Sequence, residues 1–306
     1  MTKVEDRSCK GQDCPQKQGS GNCSVLGADG LAVQCVGPWA EDKYFFLERY
    51  LGASRQARKK FAIKGNAVYI DLYAGPGKCI VREIKKEIEG GGMRAAHLKD
   101  VPFNEYHYFD ISSENTSALK QRLGNNKIHI QTGDSNILID QLATRLNIKP
   151  YRYHFAYVDP FGADALKFTT IKKLAAMQRM DLLINFPIGS IKRNLKAWLR
   201  NENTILDDFL GTDLWRKKVK SSKESETYKI LVDTYTEQLL SIGYPKEGLK
   251  TAQSDKNIYS GLPTVSVKNT KDVELYVLIL ASKHKLGQKI WNSVIKVTPS
   301  GQRSLF

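Results

Sequence analysis

Three things are scarce in this sequence: long apolar runs, paired cysteines and acid. No stretch reaches the about 18 consecutive apolar residues of a membrane-spanning helix. No charged-then-apolar leader opens the chain, and no long basic amphipathic helix suited to a membrane surface stands out. The expectation is a soluble, intracellular, cytoplasmic protein with no membrane partner. Five cysteines in 306 residues, an odd number, argue against a disulfide framework. Cys9, Cys14, Cys23 and Cys35 offer four thiolates to a zinc ion, but the C-x2-C knuckles of zinc sites are missing; no metal is assigned, and a mobile tail is the alternative. Repeats of solenoid length are absent. Acid is outnumbered, with 32 Asp and Glu against 47 Lys and Arg and a formal net charge of +15. That excess suits a polyanion, nucleic acid foremost, although basicity alone says nothing about fold.

Against these absences stands an apolar share of 41%, ample for a core. Residues 1–27 have little apolar periodicity and are expected to form a tail or small appendage, with 28–306 as one domain. In "GPWAEDKYFFLERYLGASRQARKK" (37–60), Trp39, Tyr44, Leu47 and Leu51 recur at helical spacing behind Pro38, with acids in the first turn. Arg55, Arg58, Lys59 and Lys60 close that helix, either as solvated dipole complements or as phosphate contacts. Short β-branched and aromatic runs follow at 67–72, 106–111, 127–133, 154–160 and 180–187. They alternate with helix-compatible stretches such as 113–123, where Ser113 is a candidate N-cap, and 135–146. This pattern predicts an α/β, Rossmann-like, doubly wound and mostly parallel sheet covered on both faces. Further strands are expected at 261–269 and 273–282, after a charged helical insertion at about 192–243.

"YIDLYAGPGKC" (69–79) ends the first buried run on an acid and then brackets a proline with glycines. In a doubly wound sheet, ligands bind beyond the carboxyl ends of the strands, where the strand order reverses. A phosphate loop fails here: Cys79 follows Lys78 where Ser or Thr is needed, and no glycine stands five positions before Gly77. A dinucleotide fingerprint is weak, because Ile80 takes the place of the third glycine. S-adenosylmethionine fits better, since it has an ammonium and a sulfonium and no phosphate. Asp71 would answer the ammonium, while Gly75 and Gly77 let the backbone approach. Asp110, ending the second strand, would take the ribose hydroxyls, and Asp134 after the third would meet the adenine amine. Each acid alone also reads as a helix cap.

The order Asp71, Gly75, Gly77, Asp110, Asp134 and Asp159 resembles class I methyltransferases. More closely, "GPWAEDK", "YIDLYAGPG", "VDPFG", "INFPIGSIKRN" and "LILASKHKLGQKIW" together resemble the three-Cys-motif partner protein family, TcmP, over roughly 29–291. The resemblance implies a class I fold and S-adenosylmethionine as cofactor, with Ala74 joining Asp71, Gly75, Gly77, Asp110 and Asp134 in holding it. It also implies a three-cysteine partner of radical S-adenosylmethionine type, to which the cysteines of the family name belong. It supplies no substrate.

"YVDPFG" (157–162) falls where amino-methyltransferases keep an Asn/Asp-Pro-Pro-aromatic motif. Asp159 and the carbonyl of Pro160 would accept the hydrogens of an exocyclic base amine, with Phe161 stacking on the base. Asp-Pro-Phe-Gly resembles the version in tRNA guanine N2-methyltransferases, whereas the long segment from Cys79 to Gly92 resembles ribosomal-RNA adenine N6-methyltransferases. The alternative is a turn leaving the sheet. Lys192, Arg193, Lys196 and Arg200 fall near one helical face, and "WRKKVKSSK" (215–223) adds five cations, as a phosphate-tracking surface or a solvated one. Asn185 is a pocket or capping residue, and His284 reads as a turn residue at a strand end. Two functions are therefore expected: a methyltransferase acting on nucleic acid at an exocyclic amine, or a catalytically silent binding module partnering the three-cysteine protein.

Overall fold

The computed structural model describes residues 23–148, 151–245 and 262–299. Cys9, Cys14 and the expected tail up to residue 22 lie outside them. The alternating apolar runs become one seven-stranded sheet. Its strands are β3 (Ala67–Asp71), β6 (Glu105–Asp110), β7 (Ile128–Thr132), β8 (Tyr153–Val158), β9 (Met180–Phe186), β10 (Thr264–Lys268) and β11 (Glu274–Ala281), in spatial order β10-β11-β9-β8-β3-β6-β7. Strands β7, β6, β3, β8 and β9 run parallel. Only β11 is reversed, pairing antiparallel with β9 and with β10. The order turns around at β3, and the register sets Asp71 between Tyr108 of β6 and Tyr157 of β8. This is a Rossmann-like, doubly wound and mostly parallel α/β sheet.

Successive side chains of a strand point to opposite faces. Val68 and Ile70 therefore enter one core, with α5 (Ser135–Asn147), α6 (Phe168–Ala175) and α7 (Ile188–Arg200). Tyr69 enters the other, with α1 (Trp39–Ala53), α3 (Gly91–Ala96), α4 (Ser113–Leu123) and α11 (Lys285–Val294). The charged region expected at 192–243 contributes α8 (Ile205–Leu210), α9 (Trp215–Lys220) and α10 (Thr227–Ser241). Its Phe209, Trp215, Leu231 and Tyr235 are buried in the first core, so the insertion extends the domain instead of hanging from it.

Several local expectations change. Strand β1 (Ser24–Leu26) already pairs with β2 (Ala32–Val36), so part of the stretch expected to be a tail belongs to the folded body. The segment from Cys79 to Gly92 begins with a hairpin of β4 (Lys78–Val81) and β5 (Lys86–Glu89), which joins β2 and β1 in a second, four-stranded sheet. The helix expected over 37–60 breaks at Ser54 and resumes as α2 (Arg55–Ala62). Arg58 on α2 is neither solvated nor a phosphate contact: its guanidinium is buried over the Phe103 ring and donates to Val101 O at 2.9 Å and Leu51 O at 3.0 Å. The cap of α4 is Ser112, whose hydroxyl accepts from Asn115 N, one residue before the expected Ser113.

Candidate cofactor and acceptor site

Two contiguous cavities open beyond the carboxyl ends of β3, β6 and β8, where the strand order turns around. The smaller, about 240 Å³, is lined by Asp71, Ala74, Gly75, Gly77, Asp159, Pro160 and Phe161 among others. The larger, about 850 Å³, is lined by Asp110, Asp134 and Phe161. Tyr73, Phe161, Ser190 and Arg193 wall both. The fold thus brings every predicted cofactor and acceptor residue to one crevice. Of the four cations predicted on α7, only Arg193 reaches it.

Asp71 ends β3 and is 1% exposed. It accepts from the Tyr73 backbone N–H at 3.1 Å and the Tyr69 hydroxyl at 3.3 Å, and no Lys or Arg pairs with it among the described residues. Burial pushes its pKa up to about 7; the Tyr73 N–H opposes this, and the carboxylates of Asp159 and Asp110 add to it. The loop that follows is held from two sides. Asp110 Oδ2 accepts the Gly75 N–H at 2.9 Å, while Arg122 of α4 donates to Pro76 O at 2.6 Å. Gly75 and Gly77 have φ of +60° and +91°, the left-handed region open to glycine. Instead of entering a helix, the loop runs straight into β4, and the crossover helix α3 starts later, at a run of three glycines. A Cβ on Gly92 would stand 3.3 Å from Asp71 Oδ2, so this glycine keeps the carboxylate accessible. The signal was the "GGG" at 90–92, which sequence reasoning passed over.

Asp110 Oδ1 also accepts from Ser112 N at 2.9 Å and Asn115 Nδ2 at 3.0 Å, so this acid both fixes the glycine loop and walls the larger cavity. Asp134 caps α5, its Oδ1 accepting from Asn136 N at 2.8 Å, while lining the same cavity. Ile111 was missed: it follows Asp110, lines the larger cavity and is 79% exposed, with Phe161, at 42%, also in the cavity wall.

The acceptor end departs most from expectation. Asp159 is not open. Lys43 of α1 donates to Oδ1 at 3.0 Å and to Oδ2 at 2.9 Å, the Tyr157 hydroxyl donates to Oδ2 at 3.2 Å, and Asn185 Nδ2 donates to Oδ1. Lys43 is only 8% exposed, and its ammonium lies 4.7 Å from the Tyr276 ring centroid. It lies within the "GPWAEDK" motif, but a lone lysine on an amphipathic helix carries no sign of its burial. Asn185 is fully buried and contacts the cavity only through Asp159, and its Oδ1 has no partner among the described residues. His284 caps α11, its Nδ1 accepting from Leu286 N.

The cations of α7 and α9 divide. Lys196 and Arg200 are exposed, while the Lys192 ammonium lies 4.5 Å from the Tyr228 ring centroid. In "WRKKVKSSK", Arg216 is bound to Asp207 in a largely buried pair, and Lys218 pairs with Glu237 at the surface. Cys23 is half-buried, and Cys35 and Cys79 are buried. Glu105, His107 and His129 bring ligand atoms within 4.8 Å of one another at the opposite ends of β6 and β7. Arg152 at 3.2 Å and Arg145 at 3.4 Å already balance Glu105, whose carboxyl is held down to about 2 by its bond to His107 and by these arginines against the effect of burial.

No protein-family model and no curated protein matches the sequence. Among solved structures, Trm1 from Pyrococcus horikoshii with S-adenosyl-L-methionine is similar at 14% identity and a TM-score of 0.38, over 86% of this chain and 62% of that one. This chain thus spans less than two thirds of that protein. A putative S-adenosylmethionine-dependent methyltransferase from Listeria monocytogenes is similar at 12% identity and a TM-score of 0.38, over 76% of this chain and 99% of that one. An rRNA methylase from Streptococcus thermophilus is similar at 10% identity and a TM-score of 0.31, over 75% and 96%.

Proposed function

We propose that this protein is an S-adenosylmethionine-dependent methyltransferase acting on nucleic acid. One observation carries the reading: Asp71, a buried carboxylate in a cavity wall, receives hydroxyl and amide donors but no cation from the described protein. A ligand with a fixed positive charge supplies what is missing, and three carboxylates along the crevice disfavour a phosphate-bearing one. Asp71, Ala74, Gly75 and Gly77 would hold the amino-acid end, Asp110 the ribose hydroxyls and Asp134 the adenine amine, with Ile111 offering apolar surface to the ring. When bound, this cofactor supplies an electrophilic methyl group. Arg193 at the junction of the cavities, with exposed Lys196 and Arg200 farther along α7, supports a phosphate backbone as the companion ligand.

An exocyclic amine as acceptor has less support. It would have to displace Lys43 from Asp159, and separating one partner of a buried pair costs about 3–5 kcal/mol. The same filled carboxylate favours the second reading, a silent module that binds the cofactor and a three-cysteine protein, for which the motif resemblance is the remaining support. Calorimetry with S-adenosylhomocysteine tests the shared part: the wild type and Asp159→Ala should bind, and Asp71→Ala should not. Equal binding by Asp71→Ala would sink the cofactor assignment. Transfer of label from the cofactor to nucleic acid separates enzyme from silent module.

A further inference from the structure

Lys43 is the buried charge at the acceptor end that this reading leaves unused. A carboxylate offers about four lone-pair positions. Asp159 fills them with Lys43 at both oxygens, the Tyr157 hydroxyl and the Asn185 amide, which leaves none for the hydrogens of an amine. Lys43 has three N–H groups, and two of them suffice for Asp159. Lys43 and Asp159 both line the cavity, where the ammonium lies 4.7 Å from the Tyr276 ring centroid and has one N–H beyond those Asp159 needs. The groups facing the ammonium are Asp159 beyond β8, Tyr276 of β11, Cys79 of β4 and, on its own helix, Tyr44, whose hydroxyl lies 3.4 Å from Cys79 Sγ. Burial pulls the Lys43 pKa down, but Asp159, Tyr276 and Cys79 outweigh it and leave it raised, so the group stays charged. The acceptor slot therefore offers a hydrogen-bond donor with positive charge.

We propose that the methyl acceptor is an imide N–H of a nucleobase that reacts as its anion, with an imide oxygen bound by Lys43. The proposal rests on the cofactor assignment above. The imide proton leaves to solvent before transfer. The nitrogen lone pair then forms the new N–CH3 bond while the S–CH3 bond breaks, and that electron pair stays on sulfur. Anion and sulfonium cancel, giving a neutral base and a neutral thioether, and such cancellation is favoured where the effective dielectric is low. Transfer to a neutral amine would instead end in a cation needing a proton acceptor, a role the paired Asp159 does not offer. Phe161, half-exposed in the same wall, provides a face for the base.

The test uses poly(U), which has imides and no exocyclic amine, and poly(A), which has the reverse. Labelled S-adenosylmethionine should transfer to poly(U) at a rate rising with pH until the imide is ionised, and digestion followed by mass spectrometry should find the label on the base. Lys43→Met should keep S-adenosylhomocysteine affinity and lose transfer on the order of a hundredfold, and Lys43→Arg should recover part of it. Label on the amine of poly(A), a Lys43→Met variant faster than the wild type, or no label on poly(U) from protein that binds S-adenosylhomocysteine would each overturn the proposal. Absent S-adenosylhomocysteine binding in the wild type would instead mark the cofactor assignment as the failure, and this inference falls with it.

Discussion

Asp71 and Asp181 are both buried carboxylates raised by desolvation, and their comparison shows what distinguishes a site from a core. Asp181 accepts from the Tyr50 and Tyr153 hydroxyls at 2.9 and 3.0 Å, inside packing against α1, and lines neither cavity. Asp71 faces a cavity, so a cationic ligand can reach it. A raised pKa alone does not mark function. The sign of the linkage is definite. With a folded pKa of about 7 against an ordinary 3.8, the neutral form of Asp71 stabilises the free protein, and this contribution is complete below about 3.8 and lost as pH rises through 7. A cationic ligand takes the ionised form instead. Affinity for S-adenosylhomocysteine should therefore weaken by about tenfold per unit of pH below 7, and binding near pH 6 should release a proton. Calorimetry in buffers of different ionisation enthalpy measures both. Asp71→Asn should bind weakly with a flat profile; an unchanged slope would assign the titration elsewhere.

The element that makes the crevice is the Gly75-Pro76-Gly77 turn, clamped between Asp110 of β6 and Arg122 of α4. Arg122 also bonds Ala32 O at 2.7 Å and Asp29 at 2.7 Å, tying the small sheet to the turn. At Gly77 both backbone and packing demand glycine: φ is +91°, and a Cβ would come within 2.8 Å of Leu119 and 2.9 Å of Met93. Gly77→Ala should cost about 2 kcal/mol, seen as a lower midpoint in chemical denaturation, and should weaken S-adenosylhomocysteine binding further. Elements of this kind explain what the sequence made legible. The central strands were readable because β3, β8 and β9 are buried on both faces and so appear as unbroken apolar runs. The small sheet was not: its strands are three to five residues long and carry mixed burial. The acids that line the crevice, Asp71, Asp110 and Asp134, were readable from their places at or just after strand ends. Nothing local in the sequence signalled the burial of Lys43 or Arg58, because their partners come from elsewhere in the chain, 116 positions away for Asp159 and 43 for Val101.

For the whole molecule, the net charge of +15 becomes an argument about binding only after the cations are sorted by partner. Arg216 donates to Thr204 Oγ1 at 3.0 Å and Trp198 O at 3.2 Å besides pairing with Asp207, and Lys218 is held by Glu237. Lys196 and Arg200 lie exposed along α7, leading away from Arg193 at the crevice. A backbone seated on α7 with its base in the smaller cavity would release counterions from these two positions, whereas Arg216 would release none. Salt titrations of a short single-stranded RNA, followed by fluorescence anisotropy, distinguish the two groups. Replacing both Lys196 and Arg200 by Ala should lower the slope of log K against log salt by about 1.4 and leave S-adenosylhomocysteine affinity unchanged. Arg216→Ala should leave the slope as it is and lower stability, because Asp207 then loses its charge partner. A slope unmoved by the double variant would place the nucleic acid on another face, and the placement of its base against Phe161 would go with it.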